Sequence, residues 1–156
     1  MKVSFILIGK TTEEYLRHGI SVYEKRLTNY LPLTIKIIPE IKKTGGLSFD
    51  QQKTREGKLI LAAITPGDVV ILLDEQGKMY SSVEFSILLQ KHMLQSTRNL
   101  AFIIGGPYGF SDEVYARADD KLSLSKMTFS HQMVRLIFLE QLYRGMSILK
   151  NEPYHH

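Results

Sequence analysis

The 156-residue chain predicts an α/β fold with a mostly parallel sheet and helices layered against it. Three observations carry that expectation. Apolar runs at residues 3–8, 69–73 and 100–104 read as strands buried on both faces, segments with helical spacing separate them, and no repeat, linker or low-complexity run divides residues 1–156, so one domain is expected.

The first strand ends at Gly9 and a helix follows, with Thr11 and Glu14 at capping-box spacing and Leu16, Ile20, Tyr23 and Leu27 recurring at helical intervals. Pro32 stops it. Leu33, Ile35 and Ile37 alternate with Thr34 and Lys36, the period of a strand with one wet face, which suits a sheet edge. The segment IKKTGGLS is a loop, and Ser48 with Gln51 forms a second capping box on a helix that reaches Ile64 despite Gly57. After the strand at 69–73, the polar segment DEQGKMYSS is expected to be a loop leading through Ser81 and Glu84 into a helix bearing Phe85, Leu88 and Leu89. The strand at 100–104 runs into GGPYGF, Ser111 caps a short acidic helix through Ala118, and Leu122 and Leu124 mark a short last strand. The final helix, residues 131–149, is apolar around much of its circumference, so it is buried or packs on a partner, and a dimer helix is one explanation.

Composition narrows the chemistry. The chain has no cysteine, which excludes disulfides, zinc thiolate sites and cysteine nucleophiles. The apolar run at 3–8 is too short for a signal peptide and nothing approaches a membrane span, so a cytoplasmic protein with no membrane partner is expected. A balance of 20 Lys and Arg against 16 Asp and Glu gives +4, which favours phosphate backbones without specifying one.

Ligands of open parallel sheets bind beyond the carboxyl ends of the strands, which directs attention to LLDEQGK, IIGGPYGF and LSLSKMTF. Glycines at 105, 106 and 109 permit close backbone approach to a ligand or, equally, a tight turn. The loop after the first strand, GKTTEEY, lacks the dinucleotide-binding fingerprint, and Ser4 stands where a phosphate-binding P-loop needs its first glycine. The backbone amides of residues 125–128 suit an adenine edge or a carboxylate, or simply a helix start. Ser125 or Ser130 beside His131 lacks an assignable orienting acid. Arg117, Arg135 and Arg144 are candidates for phosphate contact. Arg135 and Arg144 are nine positions apart, about 900° at roughly 100° per residue, and so face opposite sides of one helix.

Taken together, LLDEQGK, FIIGGPYGF, LSLSKMTFSHQMVRLIFLEQLYR and NEPYHH closely resemble the RlmH family of ribosomal RNA large subunit methyltransferases. The resemblance extends to the opening strand and the YEKRL helix, and so to nearly the whole chain. It implies a SPOUT-type α/β fold with helices on both faces and a C-terminal trefoil knot, a rare exception to the avoidance of knots. It also implies a homodimer that buries the first and last helices, S-adenosyl-L-methionine as cofactor with no metal, and methylation of N3 of a pseudouridine in large-subunit ribosomal RNA. By motif position, cofactor contacts fall on Leu73, Gly105, Leu124, Ser125, Lys126, Met127, Thr128 and Phe129, and RNA contacts on His131, Arg135 and Arg144. Tyr154 and His155 carry the catalytic expectation, with His155 the best type of base for the N3 proton and Tyr154 or water as alternatives. Where the family has a basic residue after the tail's Tyr-His, this chain ends in His156. The rival classes are an RNA-binding protein that has lost catalysis and a flavodoxin-like nucleotide binder.

Overall fold

The computed structural model describes residues 1–42 and 45–156; Lys43 and Thr44 of the expected IKKTGGLS loop lie outside the described residues. Among the described residues, five strands alternate with five helices in the order β1 (Lys2–Ile8), α1 (Glu14–Leu27), β2 (Leu33–Ile38), α2 (Phe49–Ala63), β3 (Val69–Met79), α3 (Ser82–Leu94), β4 (Asn99–Ile104), α4 (Asp112–Arg117), β5 (Asp120–Ser123) and α5 (Met133–Leu149). The strands form one sheet in the order β2-β1-β4-β3-β5, and all four pairings are parallel.

The unbroken apolar runs of the strands follow from burial on both sides. Phe5, Leu7, Phe102 and Ile71 face α1, α3 and α5, whereas Ile6, Ile103, Val70 and Leu72 face α2 and α4. β2 pairs with β1 at the edge of the sheet, but the expected alternation holds only for Leu33, Thr34 and Ile35: Ile37 is exposed and Ile38 is buried against the α2 side. On the first face, the Phe138 ring lies 4.7 Å from that of Phe5 and 4.8 Å from that of Phe102. Burying a side chain of this size stabilises by about 1.5–3 kcal/mol.

α5 packs against both α1 and α3, and Phe138, Leu139, Leu142 and Met146 are fully buried there. The apolar circumference that suggested a dimer helix is therefore used largely inside one chain. The helix begins at Met133, two residues after the expected start.

Two capping boxes form as the sequence predicts. Ser48 and Gln51 close theirs with bonds of 3.0 and 3.2 Å, and Ser81 and Glu84 theirs with bonds of 2.7 and 3.1 Å. The box expected at Thr11 does not form: Glu13 is the N-cap residue, and the Thr11 hydroxyl instead accepts from the Arg135 guanidinium at 3.0 Å. The segment expected as a polar loop is also corrected. β3 continues to Met79 because Lys78 and Met79 pair with Leu122 and Ser123 of β5 after a register shift beyond Leu73. Leu124 lies just past β5 rather than within it.

Candidate active site

Three segments far apart in sequence meet at the carboxyl edge of the sheet and enclose a cleft of about 500 Å³. The middle of β3, where its register shifts, supplies Leu73 to Gln76, the end of β4 and the turn after it supply Ile104 to Phe110, and the chain from β5 into α5 supplies Leu122 to Ser125, Met127 to Phe129, His131 and Val134. Tyr115 of α4 completes the lining, and its phenol donates to Asp74. Burial and that carboxylate push the Tyr115 phenol up, so it stays protonated.

Local chemistry shapes each wall. Gly109 has φ +81° in the left-handed region, its amide donates to the Gly106 carbonyl at 3.2 Å, and the space where a Cβ would stand is open. A Cβ on Gly105 would stand 3.0–3.2 Å from the ring of Phe110, so the close neighbour of that glycine is a cleft-lining side chain. After β5, the Ser123 hydroxyl donates to the Ser125 carbonyl, and the Ser125 hydroxyl accepts the Met127 amide, both at 3.0 Å. The Ser130 hydroxyl accepts the Met133 amide at 3.1 Å at the start of α5. Both serines expected beside His131 are thus engaged by backbone, and a serine nucleophile has no support.

Seven of the eight expected cofactor residues line this cleft: Leu73, Gly105, Leu124, Ser125, Met127, Thr128 and Phe129. Lys126 is exposed and outside the lining, because the turn made by Ser125 and Met127 directs it to solvent. His131 lines the cleft and is exposed.

Arg135 is corrected. It is 2% exposed, and its guanidinium donates to the carbonyls of Ile8 at 2.7 Å and Gly9 at 3.0 Å, to Thr11, and to the His131 carbonyl at 3.1 Å. Burial pushes the guanidinium pKa down, while the charge of Glu40 opposes the shift. A side chain enclosed in this way ties the end of β1 to α5 and does not present itself to a phosphate. Arg117 is likewise spent at the other end of the strands, donating to the Asp68 carbonyl at 2.9 Å and pairing with Asp119.

Arg144, Tyr154 and His155 come together, but away from the lining of this chain's own cleft. The Tyr154 hydroxyl donates to Glu140 at 3.0 Å and lies 3.1 Å from the Tyr23 hydroxyl. Arg144 pairs with Glu140 at 2.6 Å, and its carbon stands 4.6 Å above the Tyr154 ring. Arg144 Nη1 lies 3.3 Å from His155 Nδ1; since an arginine only donates, that nitrogen is the acceptor and a neutral ring carries its hydrogen on Nε2. Burial, then the bonds to Tyr23 and Glu140, raises the Tyr154 phenol above its ordinary pKa and favours its protonated form. Asp74 and Phe110 of the lining fall within the segments LLDEQGK and IIGGPYGF that strand-end position selects, although neither is singled out there, whereas Tyr115 and Val134 lie on helices and carry no such signal. Among the described residues, no group of three or more His, Asp or Glu side chains is placed to hold a metal ion. Nor is any helix there long and apolar enough to cross a membrane.

Fold and site define an α/β protein with a ligand cleft built from glycine-rich and extended backbone at the carboxyl edge of a parallel sheet. The family model described as "Predicted SPOUT methyltransferase" matches residues 1–155, and the chain belongs to that family. It is 55% identical over 156 residues to "Ribosomal RNA large subunit methyltransferase H" of Parabacteroides distasonis, covering 100% of this chain and 99% of the relative. To the protein of the same name from Flavobacterium psychrophilum it is 58% identical with the same coverage. A solved structure of a probable methylase family protein from Haemophilus influenzae Rd KW20 shares the fold, with a TM-score of 0.54 at 10% identity, over 99% of this chain and 70% of that one.

Proposed function

We propose that residues 1–156 act as one domain that transfers a methyl group from S-adenosyl-L-methionine to N3 of a pseudouridine in large-subunit ribosomal RNA, in the cytoplasm. The observation that carries the proposal is the convergence of Leu73, the turn at 105–110 and the backbone at 124–129 on one cleft. The names of the full-length relatives supply the substrate class, and the net charge of +4 suits a phosphate-bearing partner.

The cleft fits the cofactor. Its volume falls within the range of small-molecule sites, roughly 300–1,000 Å³. Leu73, Ile104, Phe110, Leu124 and Val134 offer apolar walls to an adenine ring, while the backbone at 105–109 and 124–129 offers donors and acceptors to its edge and to the polar tail. When bound, the cofactor supplies a methyl group made electrophilic by its positive sulfur. The chain then has to orient the acceptor base and take up its proton, work in which positioning accounts for much of the rate.

His131 stands at the cleft and Arg144 at the tail as RNA-facing groups. Because Tyr154 and His155 do not line their own cleft, their participation requires the tail of a second copy, and this supports a homodimer. To accept the N3 proton, His155 has to release Arg144. Tyr154, held neutral, orients the cluster through Glu140. We extend the reading to a C-terminal trefoil knot, on the strength of the family resemblance.

The test is mass spectrometry of ribosomal RNA from a strain lacking this protein. Loss of one methylated pseudouridine, restored by the gene, is expected; an unchanged signal refutes the substrate assignment. Titration calorimetry with S-adenosylhomocysteine tests the cofactor separately.

A further inference from the structure

One side chain that braces the glycine turn belongs neither to the cleft lining nor to the tail. Glu56, in the middle of α2, is 6% exposed and outside the lining. Its Oε1 accepts the Gly106 amide hydrogen at 2.9 Å, across 50 residues of sequence. The contact is close: a Cβ on Gly106 would stand 2.5 and 2.6 Å from the two carboxylate oxygens, so the carboxylate fills the place of a side chain at 106.

The next residue makes the approach possible. A Cβ on Gly57 would stand 2.3 Å from the Ser111 hydroxyl, so glycine there lets α2 settle against the end of the same turn. Two features of α2 are unfavourable taken alone, a glycine in a helix interior and a buried carboxylate with no salt bridge among the described residues. Burial pushes the Glu56 carboxyl up, the Gly106 amide opposes this, and the charge of Glu40 adds to the rise. An apolar residue would have filled this helix face without that penalty. What the carboxylate adds is an acceptor for the Gly106 amide in a glycine-rich turn, beside the bond from the Gly109 amide to the Gly106 carbonyl.

We propose that Glu56 is a positioning residue for the cleft: it holds the Gly106 amide from outside the ligand space and so keeps the turn at 105–109 in its ligand-binding shape. The inference rests on the cleft being the cofactor site. Glu56 touches no ligand; it acts through the turn.

The experiment compares the parent with Glu56→Met, which keeps bulk without an oxygen acceptor, and Glu56→Gln, which keeps the acceptor without the charge. Glu56→Ala serves as the acceptor-free variant should the methionine variant not fold. In the acceptor-free variant, the dissociation constant for S-adenosylhomocysteine by calorimetry is expected to rise about tenfold or more. The cofactor KM should rise in parallel, with kcat at saturation within about twofold. The Gly106 amide, followed by NMR hydrogen exchange, should lose its protection, and Glu56→Gln should restore both protection and affinity. Parental protection and affinity in the acceptor-free variant would overturn the proposal, as would a glutamine variant as impaired as the methionine one. If the parent itself does not bind S-adenosylhomocysteine, the cofactor reading falls, and the exchange measurement still decides whether Glu56 holds the turn.

Discussion

Replacing Arg135 with alanine strips a buried guanidinium from the junction between β1 and α5 and separates two readings of this residue. Its bonds to the Ile8 and Gly9 carbonyls, at 2.7 and 3.0 Å, satisfy acceptors just where the strand ends. Each buried acceptor left without a partner costs about 1–3 kcal/mol, and the lost packing of the long aliphatic stem adds to that. No carboxylate hydrogen-bonds to Arg135, and the charge of Glu40 that acts on it belongs to an exposed side chain, so the change leaves no buried charge without its partner. A loss of about 3–5 kcal/mol follows. At about 2–4 °C per kcal/mol for a chain of this size, Tm should fall by roughly 6–20 °C. Thermal denaturation at fixed protein concentration, with RNA binding titrated against salt on the folded variant below its transition, reads both consequences. The salt slope should match the parent, since no phosphate contact has been removed. A variant with the parental Tm whose slope is smaller by about one would refute this, because that is the mark of a lost phosphate contact.

Arg144→Ala, by contrast, removes a cation whose side chain is 25% exposed, and salt titration should show the slope lowered by about one with cofactor affinity unchanged; an unchanged slope would make Arg144 purely structural. Gly105→Val should weaken S-adenosylhomocysteine binding at least tenfold by driving Phe110 into the cleft, since even a Cβ stands 3.0–3.2 Å from that ring; calorimetry giving parental affinity would contradict it. His155→Ala should lower the methylation rate about 10²–10⁴-fold while sparing cofactor affinity, and mixing it with a cleft-inactive Gly105→Val variant should restore activity if the tail serves the partner's cleft. A monomeric mass by light scattering at micromolar concentration would rule that arrangement out. Because the Glu56 carboxyl is raised above 4.5, the folded chain holds its proton more firmly than the unfolded chain does, and the stability of the parent falls as pH rises through that interval. Glu56→Gln should therefore gain in Tm over the parent above the interval, with the gain disappearing as pH falls below 4.5; a gap independent of pH would refute the assignment.

What the amino-acid sequence determined by itself is whatever rests on short-range spacing. The strand cores at 3–8, 69–73 and 100–104 were legible because burial on both sides of a parallel sheet writes an unbroken apolar run. Ser48 with Gln51 and Ser81 with Glu84 were legible because a capping box is closed by partners three residues apart. Strand-end position picked out the three segments that line the cleft, because a parallel sheet delivers the carboxyl ends of its strands to one edge, and the family resemblance then pointed to individual residues within them. Tertiary structure decided the rest. Thr11 has the spacing of a cap, but its hydroxyl is taken by an arginine 124 residues away. The polar segment after Leu73 carries no strand signal of its own and is held extended by pairing with β5. Arg135 and Arg144 sit on opposite sides of the helical wheel, but the wheel does not say what each side meets: one is enclosed by backbone carbonyls and the other stacks on Tyr154. Glu56 reads as an ordinary helical glutamate until Gly106 arrives beside it. In each case the deciding partner is remote along the chain, and local periodicity carries no information about it.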